Sequence, residues 1–333
     1  MNRRDFLQRG ICSALTLPLV TPTFATAALV QRRTDLIFAA APGSPGSAHE
    51  HMARVFMRTF ENLTSRCARF HVASSSAQTC TDVIDGQCDV SLGFVHDAAT
   101  LHPAFGYFAG LPCKMGLPSD TQAAWIRMGG GQKLWDRLGF EVGIKPLFAG
   151  HVGSSAVTLR SLRKINDASS FHKMRLVATG LVRDVVAGLG ASPLSSDIDG
   201  TVDAVQRCTC DTYCTLGDCQ THDVGGGFLP HGSTLAVSMH RKTWDRLSRH
   251  EQAAMQAAAH VAAASFKDCA DIQNRTADRT RDICTTYTPQ MPVDVTIIAN
   301  RIAEAVVADI ASTDRLSARI NDSYLAARSR HQI

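Results

Sequence analysis

Leu36-Ile37-Phe38-Ala39-Ala40-Ala41, then Pro42-Gly43-Ser44-Pro45-Gly46-Ser47, then a helix-patterned stretch from Ala48 to Leu63, is the passage on which the fold turns. The unbroken apolar run reads as a buried strand, and the Pro/Gly/Ser run interrupts it before the helical segment. The order is strand, loop, helix, and it repeats. Phe70-His71-Val72-Ala73 is a second short strand, Thr79 to Asp85 a short helix, and Cys88 to Phe94 a third strand. Such alternation implies a parallel sheet with helices on its faces.

Toward the C-terminus, Thr121 to Leu138 is a further helix, interrupted by Gly129-Gly130-Gly131, with extended chain at Val142 to Phe148 and Ala156 to Leu159. A second α/β unit follows, with a strand at Lys173 to Val177, a helix from Leu181 to Leu189 stopped by Gly190, and a strand at Cys208 to Thr215. Glu251 to Phe266 and the pattern Ile297, Ile298, Ile302, Ala305, Val306, Ile310 place apolar groups at helical spacing. Two α/β halves followed by packing helices, with no single Pro/Gly-rich boundary, predict two lobes joined by several crossovers. The expected boundaries are 28–150 for the first lobe, 151–240 for the second and 241–333 for helices lying on both. A cleft between lobes, where strand ends and loops converge, is where ligands are usually held.

Upstream, Arg3-Arg4-Asp5-Phe6-Leu7 and the apolar stretch Ile11 to Val20 precede Ala25-Thr26-Ala27, an A-x-A site. This is the order of a twin-arginine export signal, residues 1–27, cleaved near Ala27. Its removal leaves 31 basic and 29 acidic residues, a net charge of +2. A nearly neutral chain gives no electrostatic reason to expect nucleic acid or an anionic membrane. At 333 residues, 45% hydrophobic and 6% aromatic, the composition is globular and ample for a hydrophobic core. The predicted location is the periplasm, an oxidising compartment in which some of the ten remaining cysteines are expected to pair.

No G-x-G-x-x-G, Walker A, G-x-S-x-G or H-E-x-x-H sequence occurs, so nucleotide, hydrolase and zincin chemistries lose their usual warrant. His49-Glu50-His51 reads as a solvated helix start, and the triple glycines at 129–131 and 225–227 as flexible turns. The most unusual feature is Cys208-x-Cys210-x3-Cys214-x4-Cys219-x2-His222. On a strand, Cys208, Cys210 and Cys214 share one face with outer sulfurs too far apart for one tetrahedral ion. A disulfide or buried thiols are expected there, and no metal or cofactor.

Several segments, in order, resemble periplasmic solute receptors of the tripartite ATP-independent periplasmic (TRAP) transporters, especially the keto-acid-binding branch. They are Gly86 to Val90, the helix with Gly129 to Gly131, Ile165-Asn166-Asp167 leading to Phe171-His172-Lys173-Met174-Arg175, Leu189 to Pro193, Arg207 to Asp211, and Ser238 to Ser248. The resemblance implies a two-lobe, periplasmic-binding-protein-like α/β fold with mixed, mostly parallel sheets. It implies a small organic acid as ligand, a TRAP-type permease as partner, no catalysis, and a monomer or homodimer. It assigns Arg175 to the ligand carboxylate, a role that suits a forked, permanently charged guanidinium. Supporting contacts fall on Ser155, Cys214, Thr215, Phe94 and Tyr213. Cys214 and Thr215 stand where the family often has an acidic residue and then Trp or Asn, so the cation known in part of that branch loses its carboxylate. His151 and His231 are further candidates for the cleft lining. The rival reading is a cysteine-rich metal or cofactor carrier on the same fold, and the third is an enzyme with Cys214 as nucleophile.

Overall fold

The computed structural model describes residues 35–40, 48–64, 66, 68–72, 78–152, 159–195, 203–206, 221–226, 228–229, 231–279, 285–288 and 290–331. The chain begins with β1 (Leu36–Ala40), α1 (Ala48–Thr64), β2 (Ala68–Val72), α2 (Gln78–Ile84) and β3 (Val90–Phe94). It continues through α3 (Phe105–Ala109), α4 (Ser119–Arg127), α5 (Gly131–Glu141) and β4 (Ile144–Val152). β1 pairs in parallel with β2 and β3, as the alternating pattern requires. Phe38 of β1 meets Phe56 and Phe60 of α1, with ring centroids 5.6 and 6.1 Å apart. That contact seals one face of the sheet.

The second sheet takes β5 (Leu159–Ser161), β6 (Arg175–Val177), β7 (Ser192–Leu194), β8 (Ala204–Gln206) and β9 (Thr221–Val224), with α6 (Val182–Gly188) between β6 and β7. The chain then returns as β10 (Ser233–His240), which enters sheet A between β3 and β4, antiparallel to both. Sheet A therefore runs β2-β1-β3-β10-β4. β10 falls in the stretch that sequence reading groups with the second lobe. Its run Leu235-Ala236-Val237-Ser238-Met239 is buried on both faces, and such a run fits the middle of either sheet.

After β10 come α7 (Arg241–Arg246) and α8 (Arg249–Arg279), then β11 (Thr285–Thr288), α9 (Val293–Thr313) and α10 (Arg315–His331). Sheet B has the order β11-β9-β5-β8-β6-β7. α8 lays Ala254, Met255, Ala258, Ala259 and Ala262 against α1 and sheet A, where small side chains let the backbones approach closely. On the core face of sheet B, Leu159, Leu176 and Val224 join a cluster with Val182, Val185 and Val186 of α6 and Ala299 and Ala303 of α9.

α9 is held from both sides. A Cβ on Gly188 of α6 would stand 2.8 Å from Ile302, and Ala168 N–H donates to Asp294 Oδ2 at 2.8 Å. From the first lobe, Tyr107 Oη donates to the Val307 carbonyl at 3.3 Å and Lys114 N–H to Asn300 Oδ1 at 2.9 Å. α10 then turns back over α4 and α5. Its fully buried Tyr324 lies edge-on to Trp125 and Tyr107, at 5.1 and 5.5 Å.

The glycines at 129–131 are not loose. A Cβ on Gly129 or Gly131 would lie 2.9 Å from the backbone of Trp125, and Gly130 has φ +89°. The close approach of α5 to the end of α4 demands them.

Candidate functional site

Strand direction defines the site. In sheet A, β3 and β4 both run antiparallel to β10, so Phe94 and Val152 end at the same edge, where Ser233 begins. In sheet B, β6 and β8 are parallel and β5 is antiparallel to both β8 and β9, so β6, β8 and β9 also end together. The chain passes between the sheets from these edges, between Val152 and Leu159 and again between Val224 and Ser233. Two sets of carboxyl ends thus share one seam, the usual place for a ligand in α/β folds.

On the first-lobe side, Phe94 and His96 stack with centroids 4.8 Å apart and planes 14° apart, both nearly buried. Ser233 Oγ donates to the Ala109 carbonyl at 3.3 Å, which leaves it to accept from His96 Nδ1 at 3.2 Å. His96 Nε2 lies 3.5 Å from Asp97 Oδ1. The second lobe reaches this cluster through the turn after β6. Gly180 has φ +54°, and a Cβ there would be 2.8 Å from the Cβ of His96. Sequence reading named Phe94, but not Ser233 or Gly180, which meet His96 from far along the chain. Their importance comes from contacts across 84 and 137 positions of chain, which no local pattern carries.

Arg175 opens β6, next to Asp203 just before β8. Its backbone N–H donates to Asp203 Oδ2 at 2.7 Å, while its guanidinium Nε stands 3.7 Å from the same oxygen, beyond hydrogen-bond length. Arg163 approaches that oxygen at 3.6 Å. The Arg175 side chain is 50% exposed, on the face of sheet B opposite Leu176 and the α6 core. The described contacts hold Arg175 within sheet B and Phe94 within sheet A, with no direct bond between them. Ser155, Tyr213, Cys214 and Thr215 lie outside the described residues, as do Cys208, Cys210 and Cys219. His151, next to last in β4, lies opposite Thr234, and His231 packs its ring on Gly116. Both are partly buried.

Among the described residues no three His, Cys, Asp or Glu side chains converge as a metal site requires. The thiols of Cys88 and Cys113 are unpaired and buried, and burial pushes each up to about 12, so neither is a ready nucleophile. No helix among the described residues is long and apolar enough to cross a membrane.

Two sheets flanked by helices, with strand ends meeting at one seam, define a two-lobe periplasmic-binding-protein fold. More narrowly, the fold is that of TRAP periplasmic solute-binding proteins. One from Pseudoalteromonas atlantica, solved with sodium and pyruvate, matches at a TM-score of 0.77 and 17% identity, covering 90% of this chain and 94% of that one. One from Bordetella bronchiseptica, a dimer with copurified calcium and picolinate, gives 0.78 and 18%, covering 90% and 92%. A third, from Colwellia psychrerythraea with calcium and pyruvate, gives 0.76 and 16%, covering 90% and 95%. No family model matches the sequence, and no curated protein matches it.

Proposed function

We propose that the protein is an extracytoplasmic solute receptor. It captures a small organic carboxylate at the seam and delivers it to a TRAP-type permease in the membrane, without chemical conversion. The observation that carries this reading is the shared fold over 90% of the chain with receptors solved around pyruvate and picolinate. The twin-arginine head and A-x-A site of residues 1–27 supply the route to the periplasm.

Arg175, which opens the three-residue strand β6 whose other end reaches the seam, is the anchor in this reading. A guanidinium half open to solvent, with no hydrogen bond from its Nε to Asp203, keeps donors for a carboxylate. Phe94 and His96 form the opposing aromatic wall, and Ser155, Tyr213, Cys214 and Thr215 complete the contacts. The seam then closes as Gly180 meets His96. No step requires a cation.

The test is calorimetry on exported, ligand-stripped protein with pyruvate, picolinate and a wider panel of small acids. At least one should bind, and Arg175→Ala should weaken it by about 2–5 kcal/mol. Lys at the same position should fail to restore full affinity, because an ammonium cannot grip a carboxylate with a planar fork. Failure of every acid to bind, or unchanged affinity in Arg175→Ala, overturns the respective claim.

A further inference from the structure

Behind Phe94, Ser91 and Ser238 face each other on β3 and β10, and the next pair on the same face of the sheet is Gly93 with Ala236. Residues this small leave a hollow in the sheet face that α2, α3 and α5 cover, with Cys80 of α2 on its wall. Phe94 and Val95 bound it at the strand end, and Phe105 of α3 and Trp135 of α5 also line it. The hollow offers about 10 Å³ to the centre of a water molecule, room for one and no more.

Trp135 makes this hollow more than a packing flaw. Its side chain is fully buried, and its ring plane is fixed by stacking on Phe108 at 5.1 Å and 5°. Yet its Nε1–H has no protein acceptor. By contrast, the Trp125 indole N–H donates to Ser323 Oγ at 3.1 Å. A buried indole donor without a partner is disfavoured, whereas a site with several convergent polar groups and the volume of one water is where such donors find theirs.

We propose that the chamber behind Phe94 is a binding site for a single ordered water, which accepts from Trp135 Nε1–H and is held by the hydroxyls of Ser91 and Ser238. The water belongs to the first lobe and stands independently of which solute the seam takes. It explains the combination of a tryptophan with two facing serines: phenylalanine would fill the same stack, but only an indole gives the water a donor.

A high-resolution crystal structure should show a solvent peak within hydrogen-bonding distance of Trp135 Nε1 and both serine hydroxyls. Ultraviolet resonance Raman, with Trp135→Phe supplying the difference spectrum, should place the Trp135 indole band at its hydrogen-bonded position. In the Ser91→Ala/Ser238→Ala double variant the band should shift to the free-indole position and the solvent peak should be lost. A dry chamber, a free-indole band in the parent protein, or a water that persists unchanged without both serines would each overturn the proposal.

Discussion

Gly180 sits where one lobe touches the other, and a methyl group there would press on the Cβ of His96 at 2.8 Å. Its φ of +54° also disfavours any L side chain. Gly180→Ala is expected to cost about 1–3 kcal/mol in urea unfolding and to weaken solute binding, because the seam can no longer close fully. A variant with wild-type stability and affinity would show that the turn yields freely. The strand that carries Arg175 was legible from the sequence, but the surroundings of that residue were not. Asp203 lies just before a strand, 28 positions away, and register is set by pairing rather than by local pattern.

Asp314, at the corner between α9 and α10, offers a test by pH. Burial raises its pKa, but hydrogen bonds from the Ser317 backbone N–H and hydroxyl, with His102 nearby, outweigh that and leave it below the ordinary value. His102 Nδ1 accepts from Ala104 N–H, so Nε2 carries the proton given to Asp314 Oδ2 at 3.1 Å. A depressed carboxyl pKa stabilises the fold above the unfolded value, and the stabilisation fades as pH falls through the folded one. Asp314→Asn should therefore be less stable than the parent at pH 7, with the gap narrowing below about pH 4. A gap that stays constant into acid would assign the effect to shape alone.

At the scale of elements, α8 is opened by a capping box. Ser248 Oγ accepts from Glu251 N–H at 3.3 Å, and Glu251 Oε2 accepts from Ser248 N–H at 2.8 Å. Glu251 Oε1 also meets Arg66 Nε at 2.8 Å, and both side chains are largely buried. Ser248→Ala should cost about 1 kcal/mol. Glu251→Ala should cost more, about 3–5 kcal/mol, because it strands the Arg66 charge as well as the helix end. Equal losses in thermal unfolding would show the ion pair to be idle. The apolar spacing of Glu251 to Phe266 revealed this helix, but the more polar stretch after it carries no such periodicity, so its run to Arg279 stayed hidden. The triple glycine was legible as a break between helices. Its tight seat against Trp125 was not, since contact distance is absent from composition.

Across the whole molecule, the alternation of strands and helices made the α/β class readable, because burial imposes its period on every element. The return of β10 to sheet A was not readable, and neither was the seam, which exists only once two sheets place their strand ends together. The terminal helices bind the parts into one body. Tyr324→Ala should empty the space beside Tyr107 and Trp125 and cost about 3–5 kcal/mol. Chemical denaturation followed by tryptophan fluorescence would measure it, and a loss under about 1 kcal/mol would mean that α10 is dispensable.

α9 is gripped by both halves: Gly188 and Ala168 on one side, Tyr107 and Lys114 on the other. Its 21 residues make a rod roughly 30 Å long. A rod clasped along both flanks splints the halves together, so parting them along it would break the contacts of Ala168, Tyr107 and Lys114 with it.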